Sequence, residues 1–153
     1  LSGLLGNYVP TVNTQRGRIL MGKLSAAIRK GLVNACHDCS EGGIGVAAAE
    51  MAFAGGYGAQ INLAKVPFKP RYKKQGVRRD DYVLFSESNS RFVVEVSEAN
   101  RKNFERAMKS VAIGLIGKVC EEEDFTVYGL GGKTVVKVTS GELKEAWQRP
   151  LKW

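Results

Sequence analysis

The chain has 153 residues, of which 44% are hydrophobic and 25% are charged, as in an ordinary globular domain with its own core. We find no apolar run long enough to cross a membrane and no basic-then-apolar signal segment at its start. The net charge of +8 permits nucleic acid, a membrane surface or phosphorylated small molecules as partners. Three cysteines without a secretion signal indicate free thiols, so we expect a cytoplasmic protein.

The chain opens on Leu1, and its first residues contain Pro10 and show no periodicity. We expect residues 1–14 to be an extended lead-in from an upstream domain, and residues 15–153 to form a single domain. A helix is predicted from about Gln15 to Lys30, followed by a stop at Gly31. Its apolar positions share one face: Leu20, Leu24, Ala27 and Ile28.

A short apolar strand, Leu32 to Cys36, leads into the polar turn Cys36-His37-Asp38-Cys39-Ser40-Glu41-Gly42-Gly43. A helix from about Gly43 to Ala54 follows, because small apolar residues recur there at helical spacing. A helix that opens on two glycines presents free N–H groups and a positive dipole end, which favour phosphate. Asp38 is placed to hold a cation that bridges to such a phosphate. An ordinary tight turn explains the same pattern about equally well.

The next predicted strand is Ala59 to Leu63, and a basic segment from Lys65 to Arg79 comes after it. This segment contains prolines and shows no clear period, so we expect an exposed, solvated loop. Steering of anionic substrates is the second interpretation. Binding of RNA is the third and weakest, since few aromatic side chains are available to stack on bases.

A second polar stretch, Leu84 to Arg91, comes just before the predicted strand Phe92 to Val96. It carries hydroxyls, a carboxylate and a guanidinium, which together suit a polar ligand or its metal. The side chains of interest are Ser86, Glu87, Ser88 and Arg91.

The last part of the chain is predicted to contain two helices, the first from about Glu98 to Ser110 and the second from Ser140 to Trp147, with Ser140 and Glu142 at its start. Three strands lie between them: Ile113 to Cys120, Phe125 to Tyr128 and Thr134 to Val138. The glycine-rich segment from Gly129 to Gly132 is interpreted as a hairpin turn, because no helix follows it to bind a nucleotide. This order of elements indicates an α+β fold with helices layered against one mixed sheet.

Two alternatives concern the first polar turn. Cys36 and Cys39 have Cys-x-x-Cys spacing, but a structural zinc site usually needs two such pairs, and Cys36 ends an apolar strand. His37, the only histidine, is either a base near neutral pH or a residue that orients the turn by hydrogen bonding, and we favour the orienting role.

The two polar stretches, with Ala49-Glu50-Met51-Ala52 and Gly55-Gly56-Tyr57-Gly58-Ala59 between them, closely resemble the C-terminal domain of the aminoimidazole ribonucleotide synthetase superfamily. Within it, the motifs resemble most closely those of the large synthetase subunit of phosphoribosylformylglycinamidine synthases. The resemblance runs from about Val9 to the last helix. The superfamily's kinases and other synthetases are the alternative, and a non-catalytic basic binding or assembly module is a further one.

The resemblance implies a three-layer α/β/α domain with a mixed sheet that is partly ferredoxin-like. It implies an ATP-dependent ligase of purine biosynthesis that uses Mg²⁺ and takes formylglycinamide ribonucleotide. Its partners would be upstream domains of the same subunit, a glutaminase subunit and a small helper subunit, and this domain would be inactive alone. Asp38 would be the metal ligand, and the phosphate-binding residues would be His37, Ser40, Gly42, Gly43, Ser86, Glu87, Ser88 and Arg91. Glu41 departs from the Asp that is frequent in the family.

Overall fold

The computed structural model describes residues 10–68 and 79–151. The helices are α1 (Thr14–Arg29), α2 (Gly43–Gly55), α3 (Arg79–Phe85), α4 (Glu98–Ala107) and α5 (Ser140–Gln148). The strands are β1 (Ala35–Asp38), β2 (Gly58–Asn62), β3 (Phe92–Glu95), β4 (Gly117–Cys120), β5 (Asp124–Tyr128) and β6 (Thr134–Thr139). Single 3₁₀ turns occupy Leu63–Lys65 and Arg149–Leu151. None of the helices in these two ranges has the length and apolar character that a membrane span requires.

The strands form two sheets, which confirms the predicted α+β class with mixed strand directions. β1 and β3 make an antiparallel pair in which Asp38 lies opposite Phe92. The other four strands form a sheet in the order β4-β2-β5-β6, where only the β2–β5 pair is parallel. The prediction of one sheet was therefore wrong in this detail, because β1 and β3 pair only with each other among the described strands.

The apolar core lies on one face of the four-stranded sheet. Ile61 of β2 and Phe125 and Val127 of β5 are buried there, and α2, α3 and α5 supply the residues that cover them. Helix α2 is rich in alanine and buries Ile44, Ala47, Ala48, Ala49 and Ala52, which lets its backbone approach its neighbours closely. It contacts strands of both sheets as well as α3 and α5, so α2 joins the two sheets.

Local signals explain where the helices begin and end. The side chain of Asn13 accepts a hydrogen bond from the N–H of Arg16 and caps α1, while Ser97 caps α4 in the same way. At the other end of α4, the ammonium of Lys23 donates to the carbonyls of Ala107 and Lys109, which satisfies acceptors that the helix leaves free.

Several elements differ from the sequence-based predictions. Strand β1 was predicted over Leu32 to Cys36 but runs from Ala35 to Asp38, so His37 and Asp38 belong to the strand and not to the turn. Helix α4 ends at Ala107 and not at Ser110, which adopts a left-handed φ of 75°. Helix α5 is capped by Thr139, not Ser140, in a capping box with Glu142. Helix α3 was not predicted. Strand β4 begins at Gly117 and is shorter than the predicted Ile113 to Cys120. Just before it, a side chain at Gly114 would collide with the Lys65 carbonyl oxygen.

The hairpin interpretation of the glycine-rich segment is confirmed by the antiparallel pairing of β5 with β6. The N–H of Leu130 in this turn donates to Asp80 Oδ1 of α3 at 2.7 Å. The predicted basic loop from Lys65 to Arg79 lies for the most part outside the described residues, as do residues 1–9 of the lead-in predicted over residues 1–14.

Candidate functional site

The turn between β1 and α2 has a backbone that favours glycine. Gly42 and Gly43 have φ values of 73° and 61°, in the left-handed region where a Cβ atom is strained. A Cβ at Gly43 would lie only 2.7 Å from the carbonyl oxygen of Ser86, which follows α3. The absence of a side chain at Gly43 therefore lets the amino end of α2 pack directly against the residues that follow α3.

This packing brings the two polar stretches together. The N–H of Gly42 donates to Glu87 Oε1 at 3.1 Å, so a carboxylate lies at the amino end of α2. The N–H of Cys39 donates to the carbonyl oxygen of Arg91 at 2.9 Å, which extends the β1–β3 pairing by one step. A carboxylate at a helix N-terminus is favoured by the same dipole and free N–H groups that favour phosphate.

The hydroxyls of the two stretches have different surroundings. Ser86 and Ser88 are partly buried, and their Oγ atoms lie 2.8 Å apart in a mutual hydrogen bond. Ser40 has an exposed side chain, and its carbonyl oxygen accepts from the N–H of Gly43 at 3.1 Å. Ser86 and Ser88 thus form a fixed pair beside Glu87, whereas the hydroxyl of Ser40 is open to solvent.

Arg91 supplies the positive charge of the site. Its Nη1 atom is buried and has no hydrogen-bond partner within the described part of the chain. Burial lowers the pKa of this guanidinium, and the neighbouring Cys39 acts in the opposite direction. A buried cationic N–H group without an acceptor is an unused donor, and phosphate and carboxylate oxygens are the acceptors that arginine prefers.

His37 and Asp38 end β1, and their side chains have unlike surroundings. The imidazole Nε2 of His37 lies 2.9 Å from Glu50 Oε2 of α2, and its Nδ1 lies 2.7 Å from the backbone oxygen of Asp38. The carboxylate of Asp38 is 65% exposed, and its Oδ1 is 3.7 Å from His37 Nδ1. Asp38 is therefore available to a ligand, while His37 is held on both sides.

The donor set suits a magnesium ion that carries phosphate better than a metal ion bound by protein alone. The described residues contain no group of three or more His, Cys, Asp or Glu side chains arranged around a common point. Mg²⁺ binds through one or two carboxylates and takes its remaining ligands from water and substrate phosphates. Asp38 fits that role, with Arg91 as an anion donor in the same region.

The thiols of the turn have raised pKa values, which opposes a redox role for them. Burial raises the pKa of Cys39 to about 11, against a smaller lowering effect of Arg91. Burial and the charge of Asp38 also raise the pKa of Cys36. Reactive cysteines have lowered pKa values, since the thiolate is the nucleophile and the metal ligand.

A cleft of about 780 Å³ lies on the other side of β1, between the two sheets. Its walls come from β1, β3, α2, α4 and the segment around β4, and they are mainly apolar. Of the residues predicted to bind a ligand, only His37 lines it. The other predicted site residues lie near the amino end of α2 and the end of β1, so we place the candidate site there.

Three residues that contact the site or the elements that support it were not among the predicted site residues; of these, Trp147 was expected only to pack the last helix. Glu50 belongs to the motif Ala49-Glu50-Met51-Ala52, but its contact with His37 links α2 to β1 and could not be read from that motif. Trp147 of α5 donates its indole N–H to Glu50 Oε1 at 2.9 Å. Asp80 fixes the start of α3 to the β5–β6 turn. Spacing along the chain carries no signal for such long-range pairs.

Comparison with known proteins gives concordant matches. Residues 2–129 match the family model described as AIR synthase related protein, C-terminal domain. The phosphoribosylformylglycinamidine synthase subunit PurL of Deinococcus radiodurans is 32% identical over 150 residues, which cover 98% of this chain and 19% of that protein. Thermotoga maritima PurL complexed with FGAR has the same fold, with a TM-score of 0.76 at 22% identity over 94% of this chain and 23% of that one.

A hydrogenase maturation protein, HypE of E. coli, also matches, with a TM-score of 0.61 at 26% identity over 78% of this chain and 38% of that chain. The chain spans about a fifth of the length of the curated PurL relatives. The family match covers most of the chain. This chain belongs to the AIR synthase related protein family, in which it represents the C-terminal domain.

Proposed function

We propose that this chain is the C-terminal domain of an ATP-dependent phosphoribosylformylglycinamidine synthase and that it contributes metal and phosphate contacts to the enzyme. The observation that carries the proposal is the meeting of two polar stretches at the amino end of α2. There the Gly42 N–H binds the Glu87 carboxylate, and the Arg91 backbone pairs with Cys39. The identity of 32% with a PurL subunit along nearly the whole chain supports this choice within the family.

The proposed roles follow from the geometry of each group. Asp38 is exposed and would bind Mg²⁺. The N–H groups of Gly42 and Gly43 are bonded to Glu87 and Ser40, so the amino end of α2 would attract phosphate through its dipole. Arg91 would donate from its buried Nη1 to an anionic oxygen. Ser86, Glu87 and Ser88 would lie beside the amino end of α2, with the exposed Ser40 next to them in the turn, and His37 would orient the turn.

In the proposed reaction, ATP phosphorylates the carbonyl oxygen of the glycinamide group of formylglycinamide ribonucleotide, and ammonia then displaces that phosphate, while the formyl group stays intact. The amidine, ADP and inorganic phosphate are the products. Bound Mg²⁺ would neutralise charge on the phosphates during the transfer. T. maritima PurL has been solved with ATP, and a PurLQS assembly from the same organism contains a chain with this fold. By analogy we propose ATP, a glutaminase and a small helper subunit as partners, in the cytoplasm.

The test is reconstitution. The D. radiodurans PurL subunit without its matched region is mixed with this chain, and ADP release is measured with formylglycinamide ribonucleotide and ammonia. We expect activity only on mixing, and at least a tenfold loss with Asp38→Asn, because a carboxylate ligand of the metal is removed. Asp124→Asn removes an exposed carboxylate at the start of β5 and serves as the matched control, with activity unchanged. Equal activity without this chain would contradict the proposal.

The match to HypE supports a second candidate, another ATP-using member of the same family. The same mixture distinguishes the two. If ADP release does not depend on formylglycinamide ribonucleotide but still requires Asp38, a different substrate at the same metal and phosphate site is favoured.

A further inference from the structure

Glu50 has a carboxylate that the proposed function leaves without a role, although both of its oxygens contact other elements. Oε2 lies 2.9 Å from His37 Nε2 of β1, and Oε1 accepts the indole N–H of Trp147 at 2.9 Å. The side chain of Glu50 is 26% exposed. One carboxylate on α2 therefore links the strand that ends in Asp38 to helix α5.

The imidazole ring transmits this link to the candidate site. Its other nitrogen, Nδ1, lies 2.7 Å from the backbone oxygen of Asp38. Because the ring is rigid, a partner that fixes Nε2 also fixes the direction of Nδ1. Glu50 thus contacts the ring that in turn contacts the backbone oxygen of Asp38 and lies 3.7 Å from its Oδ1. In metal sites where a histidine is itself a ligand, removal of the carboxylate that holds it changes metal affinity by about 10–100-fold. Here the histidine contacts the ligand Asp38, so we expect an effect at the lower end of that range.

We propose that Glu50 is a positioning residue for the metal and phosphate site, acting through His37 on Asp38. The inference rests on the proposed function and assigns it a residue outside the two polar stretches. The alternative is that Glu50 only anchors α5 through Trp147. The two roles use different oxygens of one carboxylate, so single substitutions separate them.

The experiment measures the affinity of the full chain for Mn²⁺ in the presence of ADP, by the electron paramagnetic resonance signal of free Mn²⁺. Glu50→Met keeps the side-chain length and removes both acceptors, so we expect about tenfold weaker binding. Glu50→Gln offers an oxygen to Trp147 and an N–H to His37 Nε2, and we expect affinity within about threefold of the parent chain. Trp147→Phe breaks only the tie to α5, and we expect no loss.

A second measurement needs no ligand. His37 is the only histidine, so its ring gives a single set of ¹⁵N resonances. Glu50→Met should shift them, and Trp147→Phe should leave them in place. His37→Asn should weaken binding about as much as Glu50→Met, and the double variant should lose no more, because residues that act as one unit are not additive. This variant tests the same link if Glu50→Met does not fold.

The outcomes separate the two proposals. If the parent chain binds no Mn²⁺ with ADP, the metal and phosphate site itself is wrong, and the role of Glu50 falls with it. If the parent chain binds but Glu50→Met binds equally well, only the positioning role is overturned. It is also overturned if Trp147→Phe reproduces the loss, or if Glu50→Gln loses as much as Glu50→Met.

Discussion

The two sheets of this domain differ in their roles: the four-stranded sheet carries the apolar core, and the two-stranded sheet carries the candidate site. The four-stranded sheet buries Ile61, Phe125 and Val127, each less than 5% exposed, under α2, α3 and α5. In the two-stranded sheet no residue of β1 or β3 is fully buried, yet the candidate site residues lie at its end, around Asp38 and Arg91. Most of the stability should therefore come from the larger sheet, which leaves the smaller one free to present polar groups.

The position of the site therefore depends on α2 more than on the pairing of β1 with β3. An isolated two-stranded sheet is marginally stable in water, and needs another element to hold it. Helix α2 contacts β1, β3 and β2, and its glycine start is packed against the residues after α3. The site is thus supported by the element that also fills the core.

The largest change in stability that we expect comes from a comparison of one phenylalanine in each sheet, each replaced by alanine. Phe125 of β5 is 2% exposed, so Phe125→Ala should lower the free energy of unfolding by about 3–5 kcal/mol, from lost burial and the cavity left behind. Phe92 of β3 is only partly buried, and Phe92→Ala should cost about 1–2 kcal/mol. Urea denaturation measures both.

Val135→Ala, at a position in β6 that is 43% exposed, is the control and should change the unfolding free energy by less than about 0.5 kcal/mol. Equal losses of unfolding free energy for the two phenylalanine variants would contradict this difference between the sheets, since the small sheet would then contribute as much stability as the large one.

The next effect concerns Cys39, whose thiol lies where β1 meets the core. Burial raises the pKa of this thiol from 9.0 to about 11, so at pH 8 it contains about a hundredfold less thiolate than an exposed cysteine does. Alkylation by iodoacetamide should be at least about a hundredfold slower in the folded chain than in urea, because only the thiolate reacts.

The rate at Cys39 should rise about tenfold for each pH unit between 8 and 10, and peptide mass spectrometry assigns it to this residue. The pH series is the internal control, since a thiol shielded only by access would show a slow rate with the ordinary pH dependence. Rapid labelling at pH 8 would show that the end of β1 opens readily, and would contradict the buried position of Cys39.

The sequence was sufficient to predict elements that have strong local signals. Helix α2 is a run of small apolar residues between glycines, and both ends were found to within a residue. The α+β class followed from the order of the elements. Helix α3 was missed, because it has only seven residues and its start is fixed by Asp80 contacting Leu130, far away in the chain.

Strand pairing and the support of the site could not be predicted for the same reason. Alternation of residue types identifies a strand but does not choose its partner, so β1 and β3 were placed in one sheet with the others. The meeting of Gly42 with Glu87, and of His37 with Glu50, depends on how the helices pack. The residue types of the site were suggested by sequence, whereas Glu50 required the structure.

The smallest effect separates backbone strain from close packing at the start of α2. Gly43 and Gly56 both have left-handed φ values, 61° and 72°, so Ala at either should cost about 1–2 kcal/mol in unfolding free energy from strain. A Cβ at Gly56 would meet nothing within 4 Å, whereas one at Gly43 would lie 2.7 Å from the Ser86 oxygen. Gly43→Ala should therefore cost about 1–2 kcal/mol more.

Urea denaturation of Gly43→Ala against its matched control Gly56→Ala gives this difference directly. The carboxyl ¹³C resonance of Glu87 reports its hydrogen bond from the Gly42 N–H, and should move in the Gly43 variant alone, because the residues after α3 must shift to admit the methyl group. Equal costs with an unmoved resonance would mean that α3 yields without strain. The amino end of α2 would then pack loosely against the residues after α3, and this contact would not help to position the two-stranded sheet.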